Sequence, residues 1–255
     1  MNHPPESNPD TVLLAPNLYL WAYQLADQST DETFWQAANL LLSPFGQTLE
    51  ITERQNSRIL LAKSSSIPFK LQDSPEISGS LQPLKLKDSY ALFANLGYDD
   101  EKDALDRVKV NELRSLNFNW VAPEQNFLGQ TLLVTAYLNR VNQQRDLKKL
   151  RNIAHQCYQA LFPHSPQSYR QGTLFGSPIF EYNPASEDST TPHVLIWLFR
   201  DEEAQEQINA CLSYFTDLLF YRAKVVKAYE KSRSVYRNLD RDYHKLETKL
   251  DKLQT

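Results

Sequence analysis

From Asp201 to Thr255 the chain contains neither glycine nor proline, and this run ends in a strict heptad pattern. Those two residues are the strong helix breakers, so nothing in the run interrupts a helix. A single helix over it would extend about 80 Å at ~1.5 Å per residue, which exceeds the width of a compact domain. Part of it must therefore project. The apolar pattern changes along the way. Ile208, Cys211, Leu212, Phe215, Leu218, Leu219, Val225 and Val226 form a wide stripe, the kind that docks on a globular core. From Val225 the stripe narrows to Tyr229, Ser232, Tyr236, Leu239, Tyr243, Leu246, Leu250 and Leu253. These positions alternate in steps of four and three residues, which is a coiled-coil seam.

With Tyr229, Tyr236, Tyr243 and Leu250 at a, the d positions are Val225, Ser232, Leu239, Leu246 and Leu253. A tyrosine ring can pack at an a site, but its hydroxyl needs a partner or water. A parallel homodimer would also set Asp242 at g against Glu247 at e, a like-charge pair. The expected partner is another helix in antiparallel or heterologous pairing, either downstream in the same chain or on another subunit. The heptad still runs at Leu253 and no capping Gly or Asn follows, so the natural chain is expected to continue past Thr255.

Upstream of this helix the pattern is mixed. The chain has 255 residues, 41% of them hydrophobic and 23% charged, a balance that builds a packed core. Residues 1–9 read as a disordered tail and 10–200 as an α/β domain, followed by the long helix over 201–255. Val12 to Leu25, Ser89 to Leu96, Thr131 to Leu138, Leu174 to Tyr182 and Val194 to Phe199 read as strands. Leu49-Glu50-Ile51 and Ile59-Leu60-Leu61 read as two more around a polar turn, Arg54 to Ser57, and Leu84 and Leu86 alternate with lysines as in a half-exposed strand. Val194 to Phe199 is apolar throughout and belongs at the centre of a sheet. Ser29-Thr30-Asp31-Glu32 and Asp146 open helices that stop near Pro44 and Pro163. Residues 64–80 read as a Ser- and Pro-rich loop, and Asp99 to Leu116 as weakly helical. The order β-α-β-β-α thus occurs twice, in halves 10–120 and 121–200, with 64–98 as an insertion. The fold class expected is α+β with duplicated ferredoxin-like halves.

The search for chemistry excludes more than it finds. Gly172-Thr-Leu-Phe-Gly176-Ser-Pro lacks the lysine of a phosphate-binding loop, and six glycines leave little bare backbone to cradle phosphate. The five histidines show no ligand-like spacing, and Asp99, Asp100, Glu101 and Asp103 lack the calcium-loop pattern. No catalytic residue, metal ligand or cofactor is predicted. Cys157 and Cys211 are two core thiols at helical spacing, which fits an intracellular chain. A net charge of −4 argues against nucleic acid as a partner. No run of ~18 apolar residues exists to span a bilayer. The expected location is the cytoplasm, with a membrane reached only through a segment beyond residue 255.

Several stretches carry a resemblance: Leu18-Tyr-Leu-Trp-Ala-Tyr, Asp88-Ser-Tyr-Ala-Leu, Leu128-Gly-Gln-Thr-Leu-Leu-Val-Thr-Ala, Gly172-Thr-Leu-Phe-Gly-Ser-Pro-Ile-Phe-Glu-Tyr and Phe220-Tyr-Arg-Ala-Lys-Val-Val-Lys-Ala-Tyr. Over nearly the whole chain they resemble a family of cyanobacterial proteins with no assigned activity. Its members look like a soluble N-terminal domain, a long coiled coil and a hydrophobic C-terminal hairpin. That layout is loosely similar to CorA-type channels, by arrangement alone. The functional expectation is a non-enzymatic regulatory or assembly domain acting through its projecting helix. Two alternatives stand beside it. One is the cytoplasmic part of a membrane-anchored, channel-like assembly. The other is a small-molecule binder or enzyme using Tyr23, Tyr137, Arg170 and Glu181 between the halves.

Overall fold

Side-chain alternation in the first strand decides the layering. Leu18, Leu20 and Ala22 point to one face of the sheet, Tyr19, Trp21 and Tyr23 to the other, and all six are buried. A strand apolar on both faces requires a covering layer on each side. The computed structural model describes residues 11–26, 31–43, 46–49, 58–60, 66–71, 74, 76–98, 107–116, 127–139, 142, 146–163, 168–183 and 193–253. In chain order they form β1 (Val12–Leu25), α1 (Asp31–Leu42), β2 (Arg58–Leu60), β3 (Ile67–Lys70), β4 (Ile77–Leu86), β5 (Ser89–Tyr98) and β6 (Arg107–Lys109). A 3-10 helix (Val110–Leu116) follows, then β7 (Phe127–Tyr137), α2 (Leu147–Leu161), β8 (Tyr169–Leu174), β9 (Ser177–Tyr182), β10 (His193–Phe199) and α3 (Glu202–Leu253).

The strands make one sheet in the order β2-β4-β5-β1-β7-β10-β9-β8, with β3 added on β4 and β6 on β1. Every described pairing is antiparallel except β7 with β10. Helices α1 and α2 and the 3-10 turn pack on one face, and α3 packs on the other. The chain is α+β, as its pattern predicts.

A ferredoxin-like unit forms, but across the expected boundary between the halves. Strands β1, β4 and β5 of the first half and β7 of the second lie in the spatial order β7-β1-β5-β4, all antiparallel, with α1 between β1 and β4 in the chain. That is the ferredoxin-like arrangement, with the 3-10 helix in the place of its second helix. Strands β4 and β5 therefore come from the segment 64–98, which reads as an insertion in the sequence but is integral to the sheet. The loop expected over 64–80 contains β3 and the start of β4. Residues 107–116 hold a short strand and the 3-10 turn where the sequence reads as weakly helical.

The second half departs from the first for one local reason. Phe175 and Gly176 both take positive φ, at 45° and 73°, as a two-residue hairpin turn requires. The single strand predicted over 174–182 becomes the hairpin β8–β9. That additional strand reverses the direction in which the chain returns, so β10 runs parallel to β7. The strand expected over 59–61 appears as β2. The acidic cluster 99–103, the polar turn 54–57, residues 50–51 of the other short strand expected there and the tail 1–9 lie outside the described residues.

Side-chain chemistry explains the main elements. β1 begins on β6 and passes to β5 at a bulge around Ala15-Pro16, where the register on β7 also slips between Leu14 and Asn17. Proline, having no N–H, is tolerated at such a break. β5 runs through Gly97 rather than stopping there. A Cβ on Gly97 would stand 2.1 Å from the Asn17 Oδ1 atom on the neighbouring strand. α2 is capped by Asp146, whose carboxylate accepts from the Lys149 N–H at 2.9 Å. Its buried face carries Leu150, Ile153, Ala154, Cys157, Tyr158 and Leu161.

All seven residues of β10 are buried, as predicted for a central strand. Ile196 is fully enclosed, so Ile196→Ala should lower unfolding stability by ~2–5 kcal/mol. Leu218, 62% exposed on the outer side of α3, should change it by less than ~0.5 kcal/mol as Leu218→Ala. Urea denaturation of both variants checks the contrast.

Candidate functional site

α3 divides into a docked half and a free half. Asp201 caps its start by accepting from the Ala204 N–H at 3.2 Å, and Glu202 and Glu203 in the first turn suit the helix dipole. Ala204, Ile208, Thr216, Leu219, Phe220 and Ala223 are buried against the sheet, over β7, β1 and β10. Leu212 and Phe215 are half-buried beside them. Thr216 is the fixed point of this contact. The Trp21 indole N–H donates to its hydroxyl at 3.0 Å, and the Tyr23 hydroxyl donates to its carbonyl at 2.8 Å. Two buried aromatic donors thus hold one turn of the helix, and burial raises the Tyr23 pKa so that the phenol stays protonated.

A polar clasp marks where the helix leaves the sheet. The Lys87 ammonium donates to the Tyr221 hydroxyl at 2.6 Å, and Lys224 pairs with Asp88. Both partners sit on the two-residue turn between β4 and β5. The hydrogen bond from Lys224 holds the Asp88 carboxyl below the usual carboxylate range. On the other side, Arg222 lies 3.8 Å from Glu181 of β9.

Glu181 belongs to a second, more buried group. His193 Nε2 lies 2.9 Å from Glu181 Oε1, and His193 Nδ1 lies 3.0 Å from Thr131 Oγ1. The histidine is 6% exposed. Burial lowers its pKa and outweighs the opposing pull of Glu181, while Arg222 lowers it further. Glu181 is lowered first by its hydrogen bond from His193, then by the charges of Arg222 and Arg170. Histidine is therefore neutral at pH 7, with its proton on Nε2 donated to the carboxylate and Nδ1 accepting from the Thr131 hydroxyl. The order Thr-His-Glu has the form of a nucleophilic relay. However, Thr131 is 3% exposed in the middle of a sheet, so its hydroxyl has no path to a substrate. The group cements β7, β9 and β10 beneath the helix.

The four residues expected to line a pocket between the halves do not converge on one place. Tyr23 is fully buried and bonded to α3, whereas Tyr137 sits at the opposite end of the β1–β7 pair. Arg170 and Glu181 face each other across β8 and β9. A separate shallow cleft of about 250 Å³ lies at the far end of the sheet, lined by Asn17, Ser78, Ser80, Asn95 and Tyr98 with two glycines. It contains no ionised group. Cys157 is fully enclosed, and burial pushes its thiol up to about 12, so it is a packing residue as predicted. Cys211 is half-buried on α3. Among the described residues no cluster of His, Cys, Asp and Glu is placed to hold a metal ion, and no helix is long and apolar enough to cross a membrane.

The predicted seam is solvent-exposed. Val225, Tyr229, Tyr236, Leu239, Tyr243, Leu246 and Leu250 are 58–72% exposed, and every residue from Lys231 to Leu250 lies in the exposed class. The backbone stays helical through Leu253, whose side chain lies outside the described residues. The structure also lengthens the stripe. Tyr214, Leu218 and Tyr221 are exposed as well, at 71%, 62% and 47%. They continue the seam backwards along the outer side of the docked half. The sequence hides this because inward and outward positions there merge into one wide stripe. Comparison with protein-family models, with curated proteins and with solved structures returns no match.

Two measurements probe this site. Thr216→Val leaves the buried Trp21 N–H without an acceptor and should cost ~1–3 kcal/mol, while Thr216→Ser should cost much less; urea unfolding separates them. The second is pH. Below the ordinary histidine value of 6.5 the unfolded chain takes up a proton that native His193 refuses, so stability falls with acidification. Below 4.5 Glu181 adds a further loss of the same sign. The midpoint of thermal unfolding should therefore drop from pH 6.5 downward. His193→Gln should flatten the upper part of that drop.

Proposed function

We propose that this chain is an assembly domain: the mixed sheet anchors α3, and the free half of the helix pairs with another helix along its apolar stripe. Exposure of the stripe carries this reading. Large apolar side chains spaced at helical intervals over a fully solvated segment have no role in the fold of the chain that bears them. A contiguous apolar surface of this kind marks an interaction site. Its steps of four and three residues suit a helical partner. The polar clasp supports the same reading, because it sets the direction in which the free half leaves the sheet. The reading is recognition and assembly: among the described residues the His193–Glu181 pair keeps its histidine buried beneath the helix.

Leu239 and Leu246 are 64% and 59% exposed, so changing them leaves the folded domain intact. Light scattering of the full chain should give a mass that rises with concentration beyond the monomer. Leu239→Lys with Leu246→Lys should return it to the monomer with unchanged thermal unfolding. Identical monomers for both chains overturn the proposal.

A further inference from the structure

The occupant of the stripe follows from the charges beside it. We infer that the free helix pairs antiparallel with a second copy of itself, in a register whose dyad lies between Arg237 and Asn238. This inference rests on the assembly reading above. With a seam at a and d, the flanking e positions are Val226, Arg233, Asp240 and Glu247, and the g positions are Ala228, Val235, Asp242 and Lys249. In antiparallel pairing e meets e and g meets g of the partner helix, whereas a meets d.

Placing the dyad there sets Tyr229 opposite the partner's Leu246 and Tyr236 opposite the partner's Leu239. Tyr243 meets the partner's Ser232, and Leu250 meets the partner's Val225. The whole exposed seam from Val225 to Leu250 is then covered, with one ring of each copy facing a small serine. Four e–e contacts form: two join Arg233 of one copy to Asp240 of the other, and two join Val226 to Glu247. The g contacts pair Val235 with Asp242 and Ala228 with Lys249. No like charges meet.

Neighbouring registers fail on the same residues. A shift of one heptad toward the free end sets Asp240 against Asp240 and Asp242 against Asp242. A shift the other way sets Arg233 against Arg233. Parallel pairing sets Asp242 against Glu247. Like charges in direct opposition select against each of these. The area is sufficient. Seven seam side chains per copy are 58–72% exposed; at about 200 Å² for residues of this size they offer roughly 1,700 Å² over two copies, within the ~1,200–2,000 Å² class of stable interfaces.

Charge exchange tests the register. Arg233→Asp and Asp240→Arg, each alone in the full chain, turn both Arg233–Asp240 contacts into repulsions. Each should weaken dimerisation about tenfold in analytical ultracentrifugation. The double variant Arg233→Asp/Asp240→Arg restores opposite charges and should recover the wild-type dissociation constant within about threefold. Arg233 also lies over its own Tyr229 ring, 5.8 Å from the centroid; recovery in the double variant therefore decides the matter, with thermal unfolding as the check on folding. A dimer that responds to Leu239→Lys/Leu246→Lys but shows no recovery in the double variant overturns this register and leaves the assembly reading standing. A monomeric wild type overturns the assembly reading itself.

Discussion

The contact between the aromatic face of the sheet and the docked half of α3 is the one on which the other features depend. Trp21, Tyr23, Trp197 and Phe199 present bulky rings on this face, and each is at most 1% exposed. Without α3 they would form a broad apolar surface in water, at roughly 25 cal/mol per Å² of unfavourable exposure. Burial alone does not fix the rotation or axial position of a helix, because apolar contact is non-directional. Thr216 supplies that information by accepting from both Trp21 and Tyr23. Once Thr216 is placed, Tyr221, Arg222 and Lys224 lie one to two turns further on, where they meet Lys87, Glu181 and Asp88. These exposed and half-exposed pairs add little stability. Their contribution is to set the exit angle.

The same placement decides which apolar residues stay outside. Ala204, Ile208, Thr216, Leu219 and Ala223 turn inward, so Tyr214, Leu218, Tyr221 and Val225 must turn outward on the same helix. A helix with apolar residues on opposite sides has two partners to satisfy. The sheet supplies one. The outer stripe runs without interruption from the docked half into the free half, so the second surface begins on the domain itself.

How much was legible in the sequence follows from where local pattern decides structure. β1, β5, β7 and β10 carry enough contiguous apolar residues to be read directly, and α2 announces itself through Asp146 and its spacing. Only the end of β4 was legible, through Leu84 and Leu86. Its earlier part contains Ser78, Gly79, Ser80 and Pro83, all of which argue against a central strand. The structure removes the objection. β3 pairs with β4 as far as Leu81 and β2 from Leu84, so Pro83 lies between the two described pairings on that side and within neither. The β8–β9 hairpin was hidden because its turn uses Phe175 in a left-handed conformation, a residue that signals strand rather than turn. The His193–Glu181–Thr131 group could not be seen at all: its members lie on three strands and meet only through register. The seam was legible because heptad spacing is a local property. Its extension to Tyr214 was not, since only the docked geometry separates the inner stripe from the outer one.

The free half also raises a question of helix stability that the docked half answers. A segment exposed throughout from Lys231 to Leu250 resembles an isolated peptide, and starting a helix in such a peptide is unfavourable, with a nucleation constant of about 10⁻³. α3 avoids this step. The turns around Thr216 and Ala223 are already fixed against the sheet, so the free half only has to propagate. Propagation is supported locally: Lys245 pairs with Asp242 at 3.0 Å, His244 meets Glu247 at 3.2 Å, and Arg241 donates to Asn238 at 3.1 Å. Each such pair contributes a little on a solvated helix. These sums hold a helix that has been started but would not start one. The projecting segment is thus a continuation of the domain rather than an appendage, and its rigidity is drawn from the Thr216 contact at the other end.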